Sequence, residues 1–158
     1  MKSLKGKLFQ DVSSGKVVSV RYQDGDNYYD LIRDAQQKGL RQIIITSNIM
    51  LSLCEHFLLD KDIEVVSIDF LIEDHELTES VDAMIRSLSS NRAYWAILRR
   101  HLEFLQKEDS IDIKTILFRE KIDGELFSVY VNGIFEATDQ YYAKISEVLA
   151  AYVVRCLD

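Results

Sequence analysis

Three apolar segments in the first half of the chain each end in small polar or acidic residues, and they restrict the folds open to it. They cover residues 17–22, 42–45 and 64–72, and the strand-forming residues Val and Ile recur in them. Segments with helical spacing of apolar residues lie between them. The order strand, helix, strand, helix, strand with short links predicts right-handed parallel crossovers. Because parallel strands end at one edge of a sheet, we expect the polar endings to meet where open α/β sheets bind ligands.

The other segments predict a different arrangement. A short hairpin is predicted at residues 7–22, and the apolar spacing from 78 to 105 predicts two helices or one kinked helix. Residues 113–137 predict an antiparallel meander, in which Asn132-Gly133 is suited to a tight turn. A helix capped by Thr138 is predicted to follow.

The predicted fold is therefore a single α/β domain over residues 1–158. Its sheet is mixed, with a parallel β-α-β-α-β first half and an antiparallel meander followed by a C-terminal helix. A chain of 158 residues is long enough to bury a core of its own.

Charge and composition limit the partners. The formal net charge is -7, which repels phosphate backbones and makes nucleic acid an unfavourable partner, whereas a basic protein suits it. The two cysteines, Cys54 and Cys156, are too few for a disulfide framework. No apolar run approaches the ~20 residues that a membrane helix needs. We expect no membrane association and a cytoplasmic location.

An acidic cluster after the first of the three segments is a candidate metal site. Asp24 and Asp26 flank a glycine, and Asp69 lies near the end of the third segment. Mg²⁺ and Mn²⁺ favour carboxylate ligands, so these three acids could support metal-dependent hydrolysis if they converge. The alternative is a structural role, in which Asp24 forms a turn and Asn27 caps a helix.

A second acidic cluster comes after the third segment. It consists of Glu73, Asp74, Glu76 and Glu79, around His75. Acidic residues are favourable at the start of a helix because of the helix dipole, so a solvated helix start explains the cluster. The same carboxylates could also bind a basic protein.

Two further groups have structural explanations. Thr46-Ser47-Asn48 could hold an anion, but helix capping explains these residue types equally well. A basic and aromatic group between residues 92 and 100 could stack on a base or bind carboxylates, and packing is the alternative.

We therefore expect a non-enzymatic acidic interaction module of the inhibitor, antitoxin or immunity type, with no cofactor, that binds a basic protein through Glu73, Asp74, Glu76 and Glu79. The alternative is a metal-dependent hydrolase, a nuclease or phosphoesterase, in which Asp24, Asp26 and Asp69 hold Mg²⁺ or Mn²⁺. The sequence contains no complete catalytic motif that would decide between them.

Overall fold

The structure is a computed structural model that describes residues 2–157. The strands are β1 (Ser3–Asp11), β2 (Val17–Tyr22), β3 (Leu40–Gln42), β4 (Ile63–Phe70), β5 (Ile113–Glu120), β6 (Leu126–Tyr130) and β7 (Ile134–Thr138). The helices are α1 (Tyr28–Gln37), α2 (Ser47–Leu58), α3 (His75–Ser90), α4 (Trp95–Asp109) and α5 (Tyr142–Cys156), with a single 3₁₀ turn at Arg92–Tyr94. These elements form two compact units. The first unit joins residues up to 45 with those from 127 onward, and the second contains residues 46–126.

The first unit is built around β1. This strand lies between β2 and β7, pairs antiparallel with both, and also pairs antiparallel with β3. Leu8 and Phe9 point to opposite faces and are both 0% exposed, so both faces of β1 are covered. Helix α5 packs against β2 and β7. At Gly6 a side chain would collide with the ring of Phe135 and the hydroxyl of Tyr142, which explains the glycine at this position.

The second unit is built around the antiparallel pair of β4 and β5. The pairing register shifts between Val65 and Ser67, which marks a β-bulge. Helices α2 and α3 pack against β4, and α4 packs against α3. Leu98, Leu102 and Leu105 form the buried stripe of α4 at helical spacing.

The predicted parallel β-α-β-α-β first half is wrong. The observed pairings between described residues are antiparallel: β1 with β2, β3 and β7, β4 with β5, and β6 with β7. The helices α1 and α2 therefore do not serve as crossovers between neighbouring parallel strands. Of the predicted strand at 42–46, only Gln42 lies in a strand, the short β3. Ile43 and Ile45 follow it in extended buried backbone, where the Ile45 N–H donates to the Val131 carbonyl at 2.8 Å.

Several local predictions are confirmed. The first two strands form the predicted hairpin, although β1 begins at Ser3 rather than residue 7. The turn between β6 and β7 contains Asn132-Gly133, and Gly133 has a φ of 80°. A side chain at Gly133 would collide with the Ile43 carbonyl oxygen, so the turn requires glycine for space as well as for its φ.

The helical predictions are confirmed in part. The expected break after Ser90 is present, because Asn91 ends α3 and its side chain accepts from the Ala93 N–H at 3.0 Å. The predicted cap of the last helix is wrong, since Thr138 is the last residue of β7 and α5 begins at Tyr142. No helix in the described part of the chain is long and apolar enough to cross a membrane.

The single-domain assignment stays a prediction. A domain is defined by folding on its own, and a division into compact units does not test that.

Candidate functional site

The loop after β2 uses its acidic residues for local structure. Asp24 forms an ion pair with Lys5 on β1, at 2.6 Å between Nζ and Oδ1. The Asp26 carboxylate accepts from the backbone N–H of Gln23 at 2.8 Å, which closes a turn. Asn27 caps α1 and accepts from the backbone N–H of Tyr29 at 2.9 Å. The capping role predicted for Asn27 is therefore confirmed.

The third residue of the candidate metal site, Asp69, is exposed on β4. It lies opposite Thr115 of β5, and no salt bridge between residues 2 and 157 includes it. Across the same described range, no group of three or more His, Cys, Asp or Glu side chains is placed to hold a metal ion. The metal site formed by Asp24, Asp26 and Asp69 therefore gains no support from the geometry.

The side chains of Thr46 and Ser47 make internal hydrogen bonds, whereas Asn48 is exposed. The Thr46 hydroxyl caps α2 by accepting from the Ile49 N–H at 3.4 Å. Ser47 is buried, and its hydroxyl donates to Asp112 at 2.9 Å while accepting from the Ile113 N–H at 3.0 Å. These bonds join the start of α2 to the start of β5.

Loss of this link has a measurable effect. We expect Ser47→Ala to lower the free energy of unfolding by about 2 kcal/mol, because it leaves the buried Ile113 N–H without an acceptor. The measurement is urea denaturation followed by circular dichroism. The control is Ser80→Ala on the exposed surface of α3, which should change stability by less than about 0.5 kcal/mol. Equal effects of the two substitutions would contradict a linking role for Ser47.

The basic and aromatic group is also committed to internal contacts. Arg99 pairs with Glu55 at 2.7 Å and with Glu103 at 2.9 Å, and the Trp95 indole donates to Glu55 at 3.1 Å. These hydrogen bonds, from Trp95 and then Arg99, hold the pKa of Glu55 below its ordinary value. Arg92 donates to backbone carbonyls in the connection between α2 and β4. Arg92, Trp95 and Arg99 therefore use donors on internal contacts, whereas Arg100 is exposed.

The acidic residues at the start of α3 remain directed to solvent. We define the acidic face as the exposed side chains of Asp69, Glu73, Asp74, Glu76 and Glu79 with the adjacent Leu71 and Ile72. Asp74 caps α3 by accepting from the Leu77 N–H at 3.1 Å, and His75 lies 3.0 Å from Glu79. A shallow cleft of about 540 Å³ runs along the face, and Lys114 is the basic residue in its lining.

A groove in the first unit is another concave surface. It has a volume of about 330 Å³ and lies where β1 begins and β2 ends. Lys5 of β1 lies directly opposite Tyr22 of β2 on one side and Glu136 of β7 on the other. Residues that lie opposite each other in paired strands share a face of the sheet. Ser3 lies two residues along β1 on that same face, and Asp24 joins it through its ion pair with Lys5. We call the surface formed by these five residues the β1 groove.

The groups of the β1 groove contact one another. The Ser3 hydroxyl donates to Glu136 Oε1 at 2.7 Å. The hydrogen bond to Asp24 raises the pKa of Lys5, so its ammonium is charged at neutral pH. Burial raises the pKa of Tyr22; the Lys5 ammonium acts against this shift and the charges of Asp24 and Glu136 add to it, so the phenol is neutral at pH 7. On the face that carries Lys5, the groove thus presents an ammonium, two carboxylates and two hydroxyls in one polar cluster. Lys2 and Arg21 also line the groove, but Arg21 alternates to the opposite face, where its guanidinium carbon lies 5.7 Å from the Tyr142 ring centroid.

Lys7 is an unusual residue that the sequence analysis missed. It is 0% exposed, and its ammonium lies 5.7 Å from the ring centroids of both Phe9 and Tyr28. It donates to the backbone carbonyl of Asn132, and no salt bridge among the described residues includes it. Burial without a counter-ion lowers its pKa from 10.5 to about 8. The sequence signal for its burial is the alternation along β1, which places Lys7 on the same face as the apolar Phe9.

Comparison of the chain with protein-family models, with curated proteins and with solved structures finds no match. The functional argument therefore depends on the geometry of these surfaces.

Proposed function

We propose that the protein is a non-enzymatic binding module of the inhibitor, antitoxin or immunity type, which binds a basic protein through the acidic face. The observation that carries the proposal is the clustering of exposed carboxylates. Asp69, Glu73, Asp74 and Glu76 lie within a span of eight residues and take part in no salt bridge between described residues.

Exposed apolar side chains at the same place support this proposal. Leu71 and Ile72 are 55% and 48% exposed, directly before the acidic residues in sequence. A protein interface typically combines an apolar centre, which supplies affinity, with a charged rim that speeds and orients association. The acidic face contains both parts and has the sign expected for a basic partner.

We also propose a cytoplasmic location. It is supported by the two cysteines, which are both free thiols, and burial raises the pKa of the Cys54 thiol and keeps it unreactive. This location stays a proposal until the protein is traced in cells.

A charge-reversal experiment tests the acidic face. We expect Glu73→Lys with Glu76→Lys to weaken capture of a basic partner from a lysate of the source organism by about tenfold or more, because the attraction becomes repulsion. Capture by the unaltered protein should weaken as salt screens the charges. The matched control is Asp139→Lys with Glu147→Lys, which changes the net charge equally on exposed positions of the first unit. If both pairs weaken capture equally, net charge alone is responsible and the acidic face is not the binding surface.

The apolar centre can be tested separately. We expect Leu71→Ser with Ile72→Ser to increase the dissociation rate of the captured partner by about tenfold, since apolar contacts mainly determine how long a complex lasts. Val12→Ser with Ile122→Ser is the control, because these residues are 68% and 73% exposed elsewhere on the surface. Unchanged dissociation in the Leu71 and Ile72 variant would restrict binding to the charged residues.

A further inference from the structure

The β1 groove has unused hydrogen-bonding capacity. The ion pair with Lys5 uses Asp24 Oδ1, and the Ser3 hydroxyl uses Glu136 Oε1, so each carboxylate retains a second oxygen that can accept. An ammonium has three hydrogens, and the bond to Asp24 uses one of them. The groove therefore offers acceptors and donors side by side.

The charges on the face of the groove that carries Lys5 oppose a ligand with a strong net charge. An anion that approached Lys5 would also meet the carboxylates of Asp24 and Glu136, and a cation that approached the carboxylates would meet the Lys5 ammonium. Because Lys5 already has a carboxylate partner at 2.6 Å, a competing anion would gain little. A hydroxyl group can both donate to a carboxylate and accept from an ammonium, and it brings no charge to desolvate.

We propose that the β1 groove binds a neutral polyhydroxylated molecule, of the class of small saccharides. In this arrangement, ligand hydroxyls donate to the second oxygens of Asp24 and Glu136 and accept from Lys5. The half-buried ring of Tyr22 provides an apolar surface beside them. The volume of about 330 Å³ lies within the range of small-molecule pockets. This site is in the first unit and does not depend on the protein-binding function proposed for the acidic face of the second.

Nuclear magnetic resonance titration of the full-length ¹⁵N-labelled protein tests this proposal. The probes are maltose, lactose and cellobiose, each compared with gluconate and glucosamine as charged analogues. We expect at least one neutral disaccharide to shift the amide signals of residues 3–5, 22–25 and 136 in a saturable manner. We expect Glu136→Gln to weaken that binding about tenfold, because an amide offers one acceptor oxygen where the carboxylate offers two.

The control substitution is Glu147→Gln on the exposed surface of α5, which should leave the dissociation constant unchanged. Chemical shifts outside the groove report whether each variant retains its fold, so loss of binding is not confused with unfolding. The proposal is overturned if none of the three disaccharides shifts the groove signals, or if gluconate or glucosamine binds there more tightly. It is also overturned if Glu136→Gln and Glu147→Gln have the same effect.

Discussion

Replacing Arg92 by methionine is expected to lower the free energy of unfolding by about 3 kcal/mol, because one guanidinium organises the whole connection between α2 and β4. Its two terminal nitrogens donate to the carbonyls of Leu58, Asp60, Lys61 and Ile63, with lengths of 3.0 Å to Asp60 and 2.9 Å to Lys61. Methionine keeps the length of the side chain and removes the donors. Urea denaturation of both proteins measures the difference.

The geometry of the guanidinium also predicts the effect of a conservative change. We expect Arg92→Lys to lose about 2 kcal/mol, since a compact ammonium cannot reach four carbonyls that a planar fork spans. Arg86→Met, at an exposed position of α3, is the control and should change stability by less than about 0.5 kcal/mol. In Arg92→Met, hydrogen exchange at residues 58–63 should accelerate more than elsewhere. A loss no greater than that of the control would show that water replaces the guanidinium at this connection.

The buried Lys7 is expected to make the stability of the protein rise with pH. The pKa of Lys7 is about 8 in the folded protein, whereas its ordinary value of 10.5 applies to the unfolded chain. Between pH 8 and pH 10.5 the unfolded chain therefore binds more protons than the folded chain. The free energy of unfolding should therefore increase by about 3 kcal/mol from pH 7 to pH 10.5, apart from the contributions of other groups. Chemical denaturation at a series of pH values measures this slope.

Lys7→Met separates this contribution from the others. We expect the variant to be about 2 kcal/mol more stable than the natural protein at pH 7, because it removes a buried charge and loses one hydrogen bond to Asn132. Above pH 10 the order should reverse, since the neutral amine keeps that bond without a charge penalty. Lys16→Met, at an exposed position before β2, should leave the slope unchanged. Parallel pH profiles for the natural protein and Lys7→Met would contradict this account of Lys7.

Local features of the fold, including the hairpin of β1 and β2, could be predicted from the sequence, and strand pairing between distant segments could not. The turn at Asn132-Gly133 and the cap at Asn27 depend on residues close in sequence, so their types reveal them. The pairing of Lys5 with Glu136 joins distant parts of the chain, and no local pattern specifies it. Short links with helices between apolar strands suggested crossovers. In the structure, the predicted parallel strands have other partners: β2 pairs antiparallel with β1, and β4 pairs antiparallel with β5.

The candidate surfaces show the same limit. The acidic face could be found from the sequence because Glu73, Asp74 and Glu76 are adjacent along the chain. The β1 groove could not, since Lys5 and Glu136 become neighbours only through strand pairing. The prediction that Ser47 or Asn48 caps α2 is wrong, because Thr46 is the cap, and the bond of Ser47 to Asp112 depends on tertiary packing.

The discontinuity of the first unit has a consequence for the order of folding during synthesis. Strand β1 pairs with β7, so the ribosome must complete more than a hundred further residues before this partner is available. At typical elongation rates this takes on the order of ten seconds, and the sequence of the second unit is complete, at residue 126, shortly before β7 is made. Residues 5–7 of β1 pair with β2 on one side, but on the other side they lack a partner until β7 is made. The nascent chain therefore exposes an unpaired strand edge for seconds, and this edge is a site where a chaperone can bind during translation.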